Sequence, residues 1–138
     1  MKTKIVGIYW LGHQPIKIIL LPGDTGGDFD LAKDKESIAE IKIHAEDKFP
    51  FLMGILMHEI WEAAMTIEKC RFEKTHDFSH NTARYLFLFD HTQFAIMAAN
   101  VGAFIHACHR DLYMAWKEFT KKPKAKTKNA SRFSRAWF

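Results

Sequence analysis

Six of the eight histidines in this 138-residue chain fall between positions 58 and 109. The stretch richest in chemistry is Ile55-Leu56-Met57-His58-Glu59-Ile60-Trp61-Glu62-Ala63-Ala64-Met65. An imidazole and a carboxylate four residues apart on a helix project from the same face, one turn apart. His58 and Glu62 have that spacing, which lets both reach a single metal ion. Glu59 lies one step round the helix, where its carboxylate is placed to take a proton from water held by such an ion. A solvated helix face is the simpler reading of a lone His-Glu-x-x-Glu. Against it, the neighbours Met57, Ile60, Trp61, Ala63, Ala64 and Met65 are apolar, and charged groups enclosed in such a helix need partners.

The elements that must position these side chains are readable from periodicity and turn chemistry. Pro50 suits a helix start, and Phe51 to about Phe72 carries Leu52, Ile55, Leu56, Ile60, Ala63, Ala64 and Ile67 at helical spacing. Upstream, Ile5 to Trp10 and Ile16 to Leu21 are β-rich runs joined by Gly12-His13-Gln14-Pro15, a hairpin pattern. Pro22 to Asp28 reads as a loop; its glycines match neither phosphate-binding pattern, and two acids sit among them. Ser37 to His44 alternates, with Ala39, Ile41 and Ile43 on one face and Glu40, Lys42 and His44 on the other, as in a half-buried strand. Lys74 to Asn81 is turn-like, and Tyr85 to Phe89 fits either a short strand or part of a helix. Asp90-His91-Thr92-Gln93 has the form of a capping box, opening a helix from His91 to about Phe119 with Phe94, Met97, Ala98, Val101, Ile105 and Leu112 on its apolar face. The expected fold is α+β: one domain over residues 1–120, with a small, mostly antiparallel N-terminal sheet packed against two long helices.

An I-x-I strand, a short link and an apolar helix bearing Leu56-x-His58-Glu59-x-x-Glu62-Ala63 resemble the small zincin-like proteins of bacteriophages and mobile elements. In one branch of these, His-Glu-[Ile/Leu]-[Ile/Val]-Glu-Ala precedes a short segment and a second helix with a histidine near its start, as His91 stands here. The likeness spans roughly residues 36–112 in order of elements and about a dozen positions by identity. It implies a zincin-like fold and a mononuclear Zn2+ site, with His58, Glu62 and His91 as ligands and Glu59 as the general base of a metallopeptidase. Zinc brings the pKa of its water from ~15.7 towards ~7 and polarises a carbonyl, as peptide hydrolysis requires. Glu62 in place of a second histidine adds negative charge and makes the ion a weaker Lewis acid.

Other clusters are less specific. His76-Asp77, with His58 and Asp90 or Asp111, faintly matches the metal set of helical phosphohydrolases, which the N-terminal hairpin does not suit. His76 and His80, and His106 and His109, are spaced for helix-borne ligands but read more simply as a turn and a solvated face. Cys70 and Cys108 form no C-x-x-C pair and are expected as buried free thiols. No run approaches the ~18 apolar residues of a membrane span, and Ile5 to Trp10 is too short for a signal segment, so a soluble, cytoplasmic protein is expected, in a bacterial host if phage-encoded.

The net charge of +4 conceals two regions. Of 20 Lys/Arg, seven lie in residues 121–138 with no acid, leaving 13 against all 16 Asp/Glu in residues 1–120. The basic tail, ending in Phe133, Trp137 and Phe138 among arginines, should be flexible and suits nucleic acid or an acidic surface. A second expectation follows: a non-enzymatic protein that binds a host protein or nucleic acid through its surface and this tail. The expected partners are a peptide or host protein, and nucleic acid or an acidic surface through residues 121–138.

Overall fold

The structure, a computed structural model, describes residues 2–23, 26–32, 34, 36–46, 48–73 and 85–121. Strands β1 (Lys4–Leu11) and β2 (Gln14–Leu21) form the hairpin, closed at Gly12, whose φ of 62° supplies the left-handed backbone that a two-residue turn needs. Strands β3 (Gly27–Asp30) and β4 (Ala39–His44) follow, then helix α1 (Phe49–Ile67), strands β5 (Arg71–Glu73) and β6 (Tyr85–Phe87), and helix α2 (His91–Phe119).

The fold is α+β, and the main sheet is mixed. Its order is β1-β2-β4-β3; the two outer pairings are antiparallel, and the central one, β2 with β4, is parallel. A parallel neighbour requires a long connection. Residues 22–38 provide it, and β3 lies within them. The reading of Pro22 to Asp28 as loop is corrected here: Gly27 and Asp28 open the edge strand β3, paired with Ile43 and Lys42. Four residues beginning with glycine carry too little β pattern to be seen in isolation.

Alternation sets which face is buried. Ile16, Ile18 and Leu20 of β2 and Ala39, Ile41 and Ile43 of β4 are all fully buried, as the alternation in β4 predicts. Against them pack Leu52, Leu56, Ile60 and Ala63 of α1 and Met97, Val101, Phe104, Cys108 and Leu112 of α2, one contiguous core. Cys70 and Cys108 are buried free thiols. The opposite sheet face leaves Ile8 and Trp10 exposed. No helix among the described residues is long and apolar enough to cross a membrane.

Helix α1 stops at Ile67, five residues before the expected end. Lys69 adopts a left-handed φ of 58°, its N–H donates to Thr66 O at 3.1 Å, and Cys70 N–H donates to Met65 O at 2.7 Å. This is the Schellman arrangement, formed with lysine where glycine is usual. It turns the chain into β5, which pairs antiparallel with β6, so Tyr85 to Phe87 is strand. Residues 74–84 lie outside the described residues, and with them the turn expected at Lys74 to Asn81 and His76, Asp77 and His80. So does the segment from Lys122 to Phe138.

Candidate metal centre

Helix α1 has no polar cap: Lys48 precedes it without a side-chain hydrogen bond, and Pro50 occupies the first turn. Tertiary contacts hold this end instead. Phe49 packs against the rings of His109, Tyr113 and Trp116 of α2, centroids 5.1–5.6 Å apart, and Trp116 Nε1 donates to Glu46 O at 2.7 Å. These contacts anchor the first turn of α1 to α2, whereas the buried stripe from Leu52 to Ala63 orients the helix on the sheet. His58, Glu59 and Glu62 then fall on the side of α1 that looks past β3.

The ligand atoms of His58, Glu59 and Glu62 all lie within 4.8 Å of one another. His58 Nε2 is 3.6 Å from Glu62 Oε2 and 3.9 Å from Glu59 Oε1. Donors about 2.0–2.2 Å from one tetrahedral zinc ion sit roughly 3.3–3.6 Å from each other, so the His58–Glu62 pair has a spacing such an ion accepts. One imidazole and two carboxylates are a donor set that zinc takes. His58 is 73% exposed at its side chain and open to an incoming ion, whereas Glu59 is 8% exposed.

Glu59 is the one buried charged residue among those described. Burial pushes its carboxyl above the ordinary range; His58 opposes that shift, and the charges of Glu62 and Asp28 add to it. A carboxyl pushed above its ordinary range is better matched to proton transfer than an ordinary glutamate. The strand beneath contributes to the burial. A Cβ on Gly27 would lie 2.8 Å from Ile55 Cγ2 and 3.2 Å from Glu59 Cγ, so only glycine lets β3 approach α1 this closely.

Arg71 completes the cluster. Its Nη1 donates to Glu62 Oε1 at 3.3 Å, while the other oxygen of that carboxylate faces His58. Charge-assisted contacts of this kind fix the orientation of a ligating carboxylate. The sequence reading missed Arg71 by running α1 through it, and missed Gly27 by placing it in a loop. The Asp28-Phe29-Asp30 alternation was the one available signal for β3.

His91 stands exposed at the first residue of α2 and is not one of the converging group. The first turn of that helix does reach α1: Phe94, three residues on, stacks on Trp61 at 5.8 Å. The capping box is formed, Gln93 N–H donating to Asp90 Oδ1 at 2.8 Å and the Gln93 side chain accepting from Asp90 N–H at 3.0 Å. Asp90 is therefore a helix cap, and Asp111 accepts from Tyr9 Oη at 2.8 Å; both candidates for the downstream carboxylate of the phosphohydrolase set have structural partners, and Asp77 lies outside the described residues. His106 and His109 are exposed on α2 and belong to no metal-compatible group among the described residues.

From His58 and Glu59 an open groove of about 620 Å3 runs between β3 and the N-terminal half of α1. The site thus joins three converging ligand-type side chains, one of them a buried carboxylate, and an open groove beside them. No protein-family model, curated protein or solved structure matches this chain.

Proposed function

We propose that this chain is a zincin-like, zinc-dependent hydrolase of peptide bonds, of the kind carried by bacteriophages and mobile elements. The observation that carries the reading is the convergence of His58, Glu59 and Glu62 around a carboxylate that is otherwise buried. His58 and Glu62 would hold the ion, and a third donor would come from outside the converging group, His91 on the first turn of α2 being the candidate. A bound zinc ion supplies Lewis acidity, polarising a carbonyl and making water easier to deprotonate. Glu59 takes the proton of the attacking water at its carboxylate and returns it to the leaving amine. Burial shifts its pKa upward, in the direction that favours exchange of a proton over that of an ordinary glutamate. Arg71 keeps one oxygen of Glu62 occupied, so that the other points to His58.

The test is elemental analysis of untagged protein. About one zinc per chain in the wild type, lost in His58→Ala and retained in Glu59→Gln, is the expected pattern. Well-folded wild type without bound metal after zinc loading would end this reading.

A second reading, a non-enzymatic binding protein, draws on Ile5, Ile8 and Trp10, which stand 49–62% exposed along the edge strand β1, and on the basic segment 121–138. Such a protein would lose its function on removal of that segment and tolerate Glu59→Gln.

A further inference from the structure

The two edges of the main sheet differ in chemistry. Strand β3 carries Asp28 and Asp30, and Asp28 Oδ1 accepts the Phe29 N–H at 3.0 Å. Two copies of β3 laid antiparallel would oppose like charges, a device by which edge strands resist pairing. Strand β1 lacks it. From Ile5 to Leu11 it holds no charged residue, and no strand among the described residues pairs with its outer side. Ile8 and Trp10 stand exposed on the open face of the sheet. The register with β2 shifts between Ile5 and Gly7, so the regular run of β1 is Gly7 to Leu11, with Tyr9 at its centre.

Helix α2 runs along the same strand. Asn100 lies beside the hairpin turn, where a Cβ on Gly12 would come within 3.0 Å of its Nδ2. Phe104 meets the Tyr9 ring with centroids 6.0 Å apart, Asp111 accepts from Tyr9 Oη, and Glu118 pairs with Lys4 at the start of β1. Ala107, midway between Phe104 and Asp111, is therefore level with Tyr9. At about 100° per residue, Ala103, Ala107 and Met114 fall on the flank of α2 that looks past β1, away from the His109, Tyr113 and Trp116 side that meets α1. All three are exposed.

We propose that the chain forms a twofold dimer in which β1 pairs antiparallel with β1 of a second copy, centred on Tyr9, while Ala103 and Ala107 of the two α2 helices pack together above it. This register sets Ile8 opposite Trp10 of the partner subunit, an aliphatic–aromatic pair made twice on the open face. Strands about 4.8 Å apart bring the α2 helices above them to the short end of helix-packing distances, about 8 Å, which small side chains at the contact permit. One patch serves both copies, so the contact closes at two, and the edges that remain are the acid-bearing β3 strands. The dimer is independent of the hydrolase reading, because β1 and β3 are opposite edges of the sheet and His58 and Glu59 lie beside β3.

The test is the mass of the full-length protein by light scattering after gel filtration, at tens of micromolar. Wild type should have twice the 16.1 kDa of one chain, with added zinc and with chelator alike. The double variant Ile8→Lys with Trp10→Lys sets lysines opposite one another across the strand pair. Ala107→Glu brings two carboxylates together near the axis. Each should weaken dimerisation by about 100-fold or more and run as a monomer with the circular dichroism of the wild type, since all three positions are exposed in the single chain. Where the strand variant does not fold, Ala107→Glu decides, because glutamate is a good helix former. A monomeric wild type, or a dimer that Ala107→Glu or the folded strand variant leaves intact, would overturn the proposal. Zinc content of the same preparations keeps the two readings apart. A dimer without zinc uptake removes the hydrolase and leaves the dimer, and a zinc-loaded monomer does the reverse.

Discussion

The two helices α1 and α2 lie against the same sheet and each carry side chains at ligand spacing, His58 with Glu62 on α1 and His106 with His109 on α2, yet they come to different chemical ends. On α1, His58, Glu59 and Glu62 converge next to β3, and one of the carboxylates is buried. On α2, His106 is exposed and His109 packs its ring against Phe49, on a helix whose buried stripe runs through Phe104, Cys108 and Leu112. The helix ends differ in the same sense. α2 satisfies its first N–H groups with its own Asp90 and Gln93, while α1 has no polar cap and is fixed by Phe49 against three rings of α2. Spacing alone is thus not what makes a candidate site. The distinguishing element is a neighbouring strand close enough to exclude water from one carboxylate, which requires glycine at position 27.

The sharpest way to break this contrast is through activity. Glu59→Gln should lower peptide hydrolysis by about 10²–10⁴-fold, with His106→Ala leaving it unchanged, in a side-by-side assay of zinc-loaded proteins. Equal losses would mean that burial of Glu59 does not mark the site. Next in size is packing. Leu56→Ala, in the fully buried stripe beneath the site, should cost about 2–5 kcal/mol in denaturant unfolding, whereas Met114→Ala, exposed on α2, should stay within about 0.5 kcal/mol. Smaller again, Arg71→Gln should weaken zinc binding by about 10–100-fold in a competition titration while leaving the fold intact. An unchanged affinity would show that Glu62 is oriented without the guanidinium.

The difference between the helix starts is testable by thermal unfolding. Asp90→Ala should cost about 1 kcal/mol, and Lys48→Ala, at a position that makes no cap hydrogen bond, should change little.

The last contrast is one of pH. Below the ordinary carboxyl range, Glu59 is protonated both folded and unfolded and has no effect on stability. As pH rises through that range the unfolded chain ionises first, because burial keeps the folded carboxyl protonated to higher pH. Metal-free protein should therefore lose stability as pH rises from the ordinary carboxyl range through the raised pKa of Glu59. Glu59→Gln should flatten that part of the curve. Identical pH profiles would mean that the carboxylate is solvated in the folded protein.

Residue order alone was enough for much of this architecture. Alternation placed Ala39, Ile41 and Ile43 inside, the capping box at Asp90 and Gln93 began α2 at its observed residue, and the apolar stripe of α1 set the face on which His58 and Glu62 stand. These are local properties, fixed by the periods of helix and strand. Three things were decided only by the tertiary structure. The parallel pairing of β2 with β4, and the short edge strand β3 on the far side of β4, join residues whose local pattern carries no sign of it. The end of α1 depends on lysine accepting a left-handed conformation, which then carries Arg71 back to Glu62. The difference between Glu59 and Glu62, adjacent on one helix, depends on how closely Gly27 lets β3 approach. A sequence states which side chains share a face; whether water reaches them is decided by what folds against that face.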